Sequence, residues 1–164
     1  MKLEEALKMK EFPDLHLKAF LEILYTASEI RNHQKKFFKP FGLSPEQYNI
    51  LRILRGSHPK SLTINEIKIR MVDKTPHTTR MIDKLELSRL VSRERVTSDR
   101  RKIFIRIRSK GLDLMRHIDV ALPDFLLFMH NLSIEEAQIL SSLLEKIRAI
   151  PIKKTSPDQE KAVF

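Results

Sequence analysis

The chain has 164 residues, enough to bury a sizeable core, and this length is typical of one domain. Its 31 Lys and Arg outnumber its 21 Asp and Glu, and the formal net charge of +10 favours a polyanionic partner. The absence of cysteine excludes disulfides and thiol chemistry, and with no signal peptide or long apolar run in view we expect a cytoplasmic protein that does not enter a membrane.

The first predicted element is a long amphipathic helix over residues 14–38. An apolar stripe repeats along it at intervals of three and four residues, which is typical of a helix with one buried face. Pro40 and Gly42 are predicted to end it. The stripe consists of Leu17, Phe20, Leu21, Leu24, Ala27, Ile30, Phe37 and Phe38.

Three short helices are predicted next, each with its own start signal. Ser44–Gln47 has the form of a capping box with proline at the first helical position, and its helix is predicted to end before Gly56 and Pro59. Thr63 and Glu66 form a second capping box, and the segment Thr75-Pro76 is predicted to open the third helix. The residues that these helices turn inward are Ile50, Leu51, Leu54, Ile67, Met71, Thr78, Met81, Ile82 and Leu85.

A basic β-hairpin is predicted after the third helix. Residues 90–96 and 103–108 form the strands, and in the second strand three isoleucines alternate with other residues. The run Ser98–Lys102 between them carries three cations and one carboxylate. From residue 89 to residue 110, nine basic residues stand against two acidic ones, an excess of seven within the net +10. Charge concentrated in this way indicates a polyanion-binding surface, and helices followed by a hairpin indicate a winged helix-turn-helix.

Two further amphipathic helices follow the hairpin. The first begins near Gly111 and contains Pro123, which is expected to kink it. Ser133 and Glu136 form a capping box for the second. Their apolar stripes consist of Leu112, Met115, Ile118, Leu122, Leu126, Met129, Ala137, Leu140, Leu143, Leu144 and Ile147.

These elements predict a mainly α fold of the α+β type. The terminal helices carry more apolar surface than a small winged helix can cover, so we favour an intertwined homodimer over a separate monomeric bundle. The predicted regions are an N-terminal dimerisation helix region (1–40), the winged helix-turn-helix module (41–110), C-terminal dimerisation helices (111–150) and a tail or dimer arm (151–164).

The chain resembles the MarR family of transcriptional regulators over about residues 14–150. The similarity is carried by Leu43–Leu51, by Thr79–Glu86, and by Asp99–Lys102 followed by Gly111. This resemblance implies a dimer of winged-helix modules that places one helix in each major groove of DNA and a wing arginine in the adjacent minor groove. It also implies small anionic or phenolic effectors bound between the dimer helices and the reading heads.

Two positions depart from the family pattern. Arg89 stands where the family usually has glycine, just after the recognition helix. A non-glycine residue in a left-handed C-cap costs on the order of 1 kcal/mol, so we expect the helix to end in a different shape. Arg108 stands where the family favours threonine, so the helix cap is expected to pass to Ser109.

The outer face of the third helix carries the candidate contacts to DNA. His77, Thr79 and Arg80 lie near its start, where a recognition helix meets base edges. Arg80 suits a bidentate contact to guanine, worth roughly 1–3 kcal/mol of discrimination. Thr75 and Lys84 are better suited to phosphate. The alternative for this face is an ordinary solvated mixture of charges.

The hairpin tip supplies the second group of candidates. Asp99 and Arg101 are two residues apart, so the carboxylate is expected to brace the guanidinium. Arg100 or Arg101 then enters a narrow minor groove, where the negative potential is strongest, and Lys102 adds charge beside them. The alternative is a solvated turn whose ion pair contributes only about 0–1 kcal/mol.

Other classes of function have weaker support. The six histidines lack close metal-ligand spacing on any one helix, so we expect neither a metal nor a cofactor. The sequence shows no glycine-rich phosphate loop, no cysteine nucleophile and no Ser-His-Asp signature, so we do not expect an enzyme.

The resulting hypothesis is a sequence-specific protein that binds double-stranded DNA as a homodimer and represses or otherwise regulates transcription. Its operator would be pseudo-palindromic with half-sites about ten base pairs apart. A small-molecule effector would release the protein from DNA, and the sequence does not identify the residues that bind this effector. Two alternatives remain at this point. One is a winged-helix module that grips an acidic protein partner, and the other is an architectural DNA binder without sequence preference.

Overall fold

A computed structural model describes residues 2–73, 76–96 and 99–149, and within the hairpin it gives only the backbone for residues 95–96 and 99–102. The chain divides into two compact units between Leu122 and Pro123. No helix within the described ranges is both long enough and apolar enough to cross a bilayer.

The fold is mainly helical with one small antiparallel sheet, as the sequence predicts. Before the hairpin the elements are α1 (Leu3–Leu7), α2 (Leu15–Phe38), a 3-10 turn (Lys39–Phe41), α3 (Pro45–Ser57), β1 (Leu62–Thr63), α4 (Ile64–Arg70) and α5 (Thr78–Leu87). The hairpin and the elements after it are β2 (Val91–Val96), β3 (Asp99–Ile107), α6 (Ser109–Leu126), a 3-10 turn (Leu127–Asn131) and α7 (Ile134–Ala149).

The N-terminal segment contains one helix that the sequence did not reveal. Five-residue α1 is too short to show a helical period, yet Leu3 is buried and Lys18 Nζ lies 2.5 Å from Glu4 Oε1. Helix α2 begins after Asp14, whose carboxylate accepts a 2.9 Å hydrogen bond from Leu17 N. The predicted long helix is therefore confirmed within one residue at its start.

Both predicted capping boxes in the first unit form. Ser44 N donates to Gln47 Oε1 at 2.8 Å, and Gln47 N donates to Ser44 Oγ at 3.2 Å. Thr63 and Glu66 make the same reciprocal pair at 2.7 and 3.3 Å. The prediction that α3 ends before Gly56 is wrong, because the helix continues to Ser57. A glycine inside a helix costs about 1 kcal/mol relative to alanine, which is not enough by itself to end the helix.

Helix α5 begins later than the Thr75-Pro76 signal predicts. Pro76 and His77 form a turn, and His77 occupies the N-cap position without a side-chain cap. The helical residues start at Thr78, which is fully buried, with its Oγ1 3.8 Å from the sulfur of Met71. Burial of this face fixes the start of the helix more strongly than the preference of proline for first turns. Thr75 lies outside the described residues.

The predicted hairpin is confirmed, and β1 completes a sheet of order β1-β3-β2. All the pairings are antiparallel, with Val91 opposite Ile107 and Leu62 opposite Ile105. Ile105 and Ile107 are buried while Arg106 is exposed, so the alternation predicted for this strand is present. The two-residue strand β1 was too short to predict.

One core holds α3, α4, α5, the sheet and the first turns of α6 together. Its members are almost without solvent exposure, so α5 is fixed to the module through its inner face. The most deeply buried of them are Ile50, Leu51, Leu54, Ile67, Ile82, Leu85, Val91, Ile105, Met115 and Ile118.

Helix α5 ends in a left-handed cap although the residue there is an arginine. Arg89 has a φ of 60°, in the left-handed region. Its N–H donates to Glu86 O at 2.8 Å, and Leu90 N donates to Leu85 O at 2.9 Å. This pair of bonds is a Schellman motif, completed by the buried side chains of Leu85 and Leu90. The expectation that the helix end differs in shape is therefore wrong.

The start of α6 differs from its prediction. Helix α6 begins at Ser109, and Leu112 N donates to Arg108 O at 3.0 Å, so Arg108 and not Ser109 occupies the N-cap position. The Arg108 N–H donates to Leu90 O at 2.9 Å, which fixes the chain at this point before the helix begins. A Cβ placed on Gly111 would lie 2.5 Å from Leu90 O, so glycine is required there.

The second unit contains the end of α6 and α7. Pro123 does not stop α6, which continues to Leu126. The Ser133 capping box is confirmed, with Ser133 N donating to Glu136 Oε2 at 2.8 Å. Along α7 the predicted apolar stripe is mostly exposed, including Leu140, Leu143 and Ile147.

Candidate nucleic-acid interface

Helix α5 turns a polar face to solvent. Thr79, Arg80 and Lys84 are exposed, while Ile82 and Leu85 on the other side are fully buried. The helical period places Arg80 and Lys84 on the side opposite Ile82 and Leu85, with Thr79 on the flank between them. This outer face is therefore accessible along its length and rigidly backed by the core.

An open groove of about 330 Å³ separates the start of α3 from α5. It brings three of the five predicted recognition-helix residues together with the two residues of the α3 capping box. The lining residues are Ser44, Gln47, His77, Arg80, Met81 and Lys84. The basic side chains of Arg80 and Lys84, together with several hydrogen-bonding groups, make this groove suited to anionic oxygens.

A larger cavity of about 470 Å³ lies elsewhere, between α1 and α2. Its lining mixes carboxylates with lysines, and the ion pair between Lys18 and Glu4 lies within it. Neither helix belongs to the winged helix, so this cavity is separate from the candidate nucleic-acid interface although it is larger than the groove.

The hairpin extends directly from the end of α5. The backbone of residues 99–102 forms the first part of β3, and Asp99 pairs with Val96 of β2. The prediction that this basic run lies between the strands, with the second strand beginning at residue 103, is therefore wrong: the strand begins four residues earlier. The side chains of Asp99, Arg100, Arg101 and Lys102 lie outside the described residues, and so does the predicted contact between Asp99 and Arg101.

Arg93 on β2 makes contacts that the sequence did not predict. Its guanidinium forms an ion pair with Asp83 of α5, and its Nε lies 3.4 Å from Glu86 Oε2. The Arg93 main-chain N–H also donates to Glu86 Oε1 at 3.2 Å. Two carboxylates one helical turn apart, followed by an arginine in the next strand, were the only signal of this cluster.

Other ion pairs and hydrogen bonds connect the elements of the module. Arg106 Nε on β3 lies 3.4 Å from Glu94 Oε1 on β2, and Lys110 Nζ donates a hydrogen bond to the main-chain oxygen of Ser88 at 3.1 Å. Arg55 of α3 pairs with Asp119 of α6 at 2.6 Å. Among the residues that the structure describes, no three His, Asp or Glu side chains converge in a way that could hold a metal ion.

Comparisons with known proteins converge on one family. Residues 43–103 match the MarR family model. The HTH-type transcriptional regulator MhqR of Bacillus subtilis is 27% identical over 137 residues, covering 80% of this chain and 90% of its own. A MarR transcription factor structure from Planctomyces limnophilus is 29% identical, with a TM-score of 0.65 over 83% of this chain and 99% of the other.

A structure of Staphylococcus aureus MepR in complex with DNA has the same fold. It is 21% identical to this chain, with a TM-score of 0.69 over 84% of this chain and 98% of MepR. The matched family segment spans α4, α5 and most of the hairpin, which are the elements that carry the site described above.

Proposed function

The chain is a winged-helix transcriptional regulator of the MarR family, a family of DNA-binding proteins, and on that basis we propose that it binds one specific operator duplex as a homodimer. The observation that carries the proposal is the exposed outer face of α5, with Thr79, Arg80 and Lys84 beside a basic hairpin. The MepR complex supports it, because that protein binds DNA with the same fold.

The proposed roles follow from position on α5. Thr79 and Arg80 lie in the first helical turn and His77 lies at its N-cap, so these three residues are the proposed readers of base edges in the major groove. Lys84 lies more than a turn further on and is the proposed phosphate contact, together with Thr75 before the helix.

The hairpin tip is the proposed contact to the minor groove. The run from Asp99 to Lys102 holds three cations and forms the start of β3, at the end of the hairpin where Val96 pairs with Asp99. We assign Arg100 or Arg101 to the groove and Lys102 to the backbone, with Asp99 as the brace for an arginine.

Exposed apolar surface on the terminal helices supports a homodimer. On α2, Phe20 is 55% and Leu24 is 52% exposed; on α7, Leu143 is 52% and Ile147 is 55% exposed. Apolar faces of this kind are commonly covered in an assembly. Regions 1–40 and 111–150 are therefore the proposed dimerisation regions, and two-fold symmetry gives half-sites about ten base pairs apart.

Regulation by repression and release is the remaining part of the proposal. A dimer covering two adjacent grooves obstructs polymerase at any promoter that contains its operator. A small-molecule effector would release the dimer from DNA by changing the distance between its two winged-helix modules, which shifts the dimer to a conformation that does not fit the operator. Its proposed place of action is the cytoplasm, with the DNA that it would bind.

The experiment is a selection of bound duplexes from a random library, followed by fluorescence anisotropy on the recovered duplex. We expect Arg80→Ala to lose about tenfold or more on that duplex and little on unrelated DNA, as for a bidentate base contact. Arg116→Ala removes an exposed cation of α6 that pairs with Asp113, and is the matched control.

Two results would contradict the proposal. Equal weakening of every duplex by Arg80→Ala would indicate an architectural DNA binder, and no duplex binding at low salt would favour an acidic protein partner. Specific binding should also weaken steeply and linearly with salt on logarithmic axes.

A further inference from the structure

Helix α5 carries equal numbers of opposite charges. Its sequence from Thr78 to Leu87 contains Arg80 and Lys84, and also Asp83 and Glu86. A carboxylate on a helix that approaches DNA repels phosphate, and the repulsion is strong where the two surfaces exclude water. The side chains of the proposed recognition helix therefore carry no net charge.

Arg93 supplies the missing charge from the neighbouring strand. It contacts both carboxylates, through its ion pair with Asp83 and through the 3.4 Å approach of its Nε to Glu86. Its side chain is only 27% exposed, against 47% for Asp83 and 40% for Glu86. The guanidinium is thus the more enclosed member of the cluster and is directed at α5.

The Arg93 backbone holds the same cluster together. Its N–H donates to Glu86 Oε1 at 3.2 Å, so Glu86 is bonded to the strand by both main chain and side chain. Asp83 and Glu86 each accept a hydrogen bond from Arg93 of β2. The positive guanidinium beside them weakens the repulsion between their carboxylates and phosphate.

We propose that Arg93 is a positioning residue that masks Asp83 and Glu86, so that the outer face of α5 meets the DNA backbone as a cationic surface. This inference rests on the proposed function. It separates Arg93 from the other basic residues of the hairpin, because its charge acts on two carboxylates of the protein instead of on phosphate.

The experiment is a mutant cycle on binding to a mixed-sequence duplex of about 30 base pairs at low salt, a length that accommodates two half-sites. One arm is Arg93→Ala, and the other is the pair Asp83→Asn with Glu86→Gln, which keeps shape and removes charge. Circular dichroism confirms the fold of each variant, and Arg93→Gln replaces Arg93→Ala if the latter unfolds.

We expect Arg93→Ala to weaken binding about tenfold, because two like charges are unmasked near phosphate. Adding Asp83→Asn and Glu86→Gln should then restore most of the affinity, while the same pair in the Arg93 background changes it much less. Arg106→Ala is the matched control. This arginine pairs with Glu94 within the sheet, so the effect of Arg106→Ala on affinity should be the same with and without the α5 substitutions.

Three results would overturn the inference. If the neutral pair gives equal gains in both backgrounds, the charges act independently and nothing is masked. If the pair fails to restore binding, Arg93 either contacts phosphate itself or only braces the hairpin. If the unmodified protein binds no duplex, the proposed function fails as well, and that measurement comes first.

Discussion

At the scale of single residues, the connection from α5 to the hairpin and on to α6 depends on two backbone requirements. Arg89 adopts a left-handed conformation that glycine adopts without strain. Gly111 leaves no room for a side chain, because Leu90 O and Ile107 Cγ1 lie 2.5 and 2.8 Å from the place of its Cβ. Leu90 links the two requirements: it directly follows Arg89, and its main-chain oxygen lies against Gly111.

Arg89→Gly is predicted to stabilise the fold. Removing Cβ from a left-handed position recovers about 1 kcal/mol, less the added entropy of the unfolded chain. Thermal unfolding should show a rise in Tm, and Arg89→Asn should give a smaller rise. A fall in Tm for both variants would mean that α5 does not end in the Schellman motif described here.

Gly111→Ala is predicted to destabilise the fold by about 1–3 kcal/mol, since the new methyl group must displace backbone at Leu90. Urea unfolding measures the change. Gly56→Ala is the control, because a Cβ there has nothing within 4 Å, and it should be neutral or stabilising. Equal effects of the two substitutions would contradict the close packing at Gly111.

At the scale of elements, what the sequence predicted depended on how local the signal was. Three capping boxes and the alternation of β3 lie within a few residues, and all were confirmed. Helix α1 and strand β1 are too short to show a period, and the start of α5 is set by burial of Thr78 against Met71. The Arg93 cluster joins two elements, so no local pattern revealed it.

The α4 capping box carries a pH-dependent part of stability. Hydrogen bonds from the Thr63 hydroxyl and N–H lower the pKa of Glu66 below its ordinary value of 4.5. A carboxylate whose pKa falls on folding stabilises the fold above the unfolded value and loses that contribution as pH falls through the folded value. Stability from this residue is therefore present at neutral pH and lost in acid.

Glu66→Gln tests this assignment because glutamine keeps the cap but does not titrate. The variant should be less stable than the parent at pH 7. The difference in Tm should shrink as pH falls from about 4.5 through the lowered pKa of Glu66, where the folded carboxylate becomes neutral. A difference that stays constant between pH 7 and pH 3 would show that the charge of Glu66 does not contribute.

At the scale of the whole molecule, the exposed apolar stripes of α2 and α7 are the features that a single chain leaves unexplained. Leu15, Phe20 and Leu24 on α2 are each more than half exposed. The winged-helix core is complete without them, so their proposed place is a subunit interface.

Placing a charge in that face is predicted to dissociate the dimer. Phe20→Asp combined with Leu24→Asp should sediment as a monomer at micromolar concentration and lose specific DNA binding, because each half-site alone is bound weakly. Val72→Asp is the control: it charges an apolar residue that is 87% exposed between α4 and α5, and the dimer should persist. An unchanged dimer in the double variant would place the interface elsewhere.

The measurement that tests the central claim most directly is the dependence of affinity on half-site spacing. In the proposed dimer, two α5 helices related by a two-fold axis enter grooves on the same face of one duplex. Inserting about five base pairs between the half-sites of the recovered operator turns one site to the opposite face, and we predict a loss of about 100-fold or more. Affinity that is indifferent to this half-turn insertion would contradict recognition by a symmetric pair of winged helices.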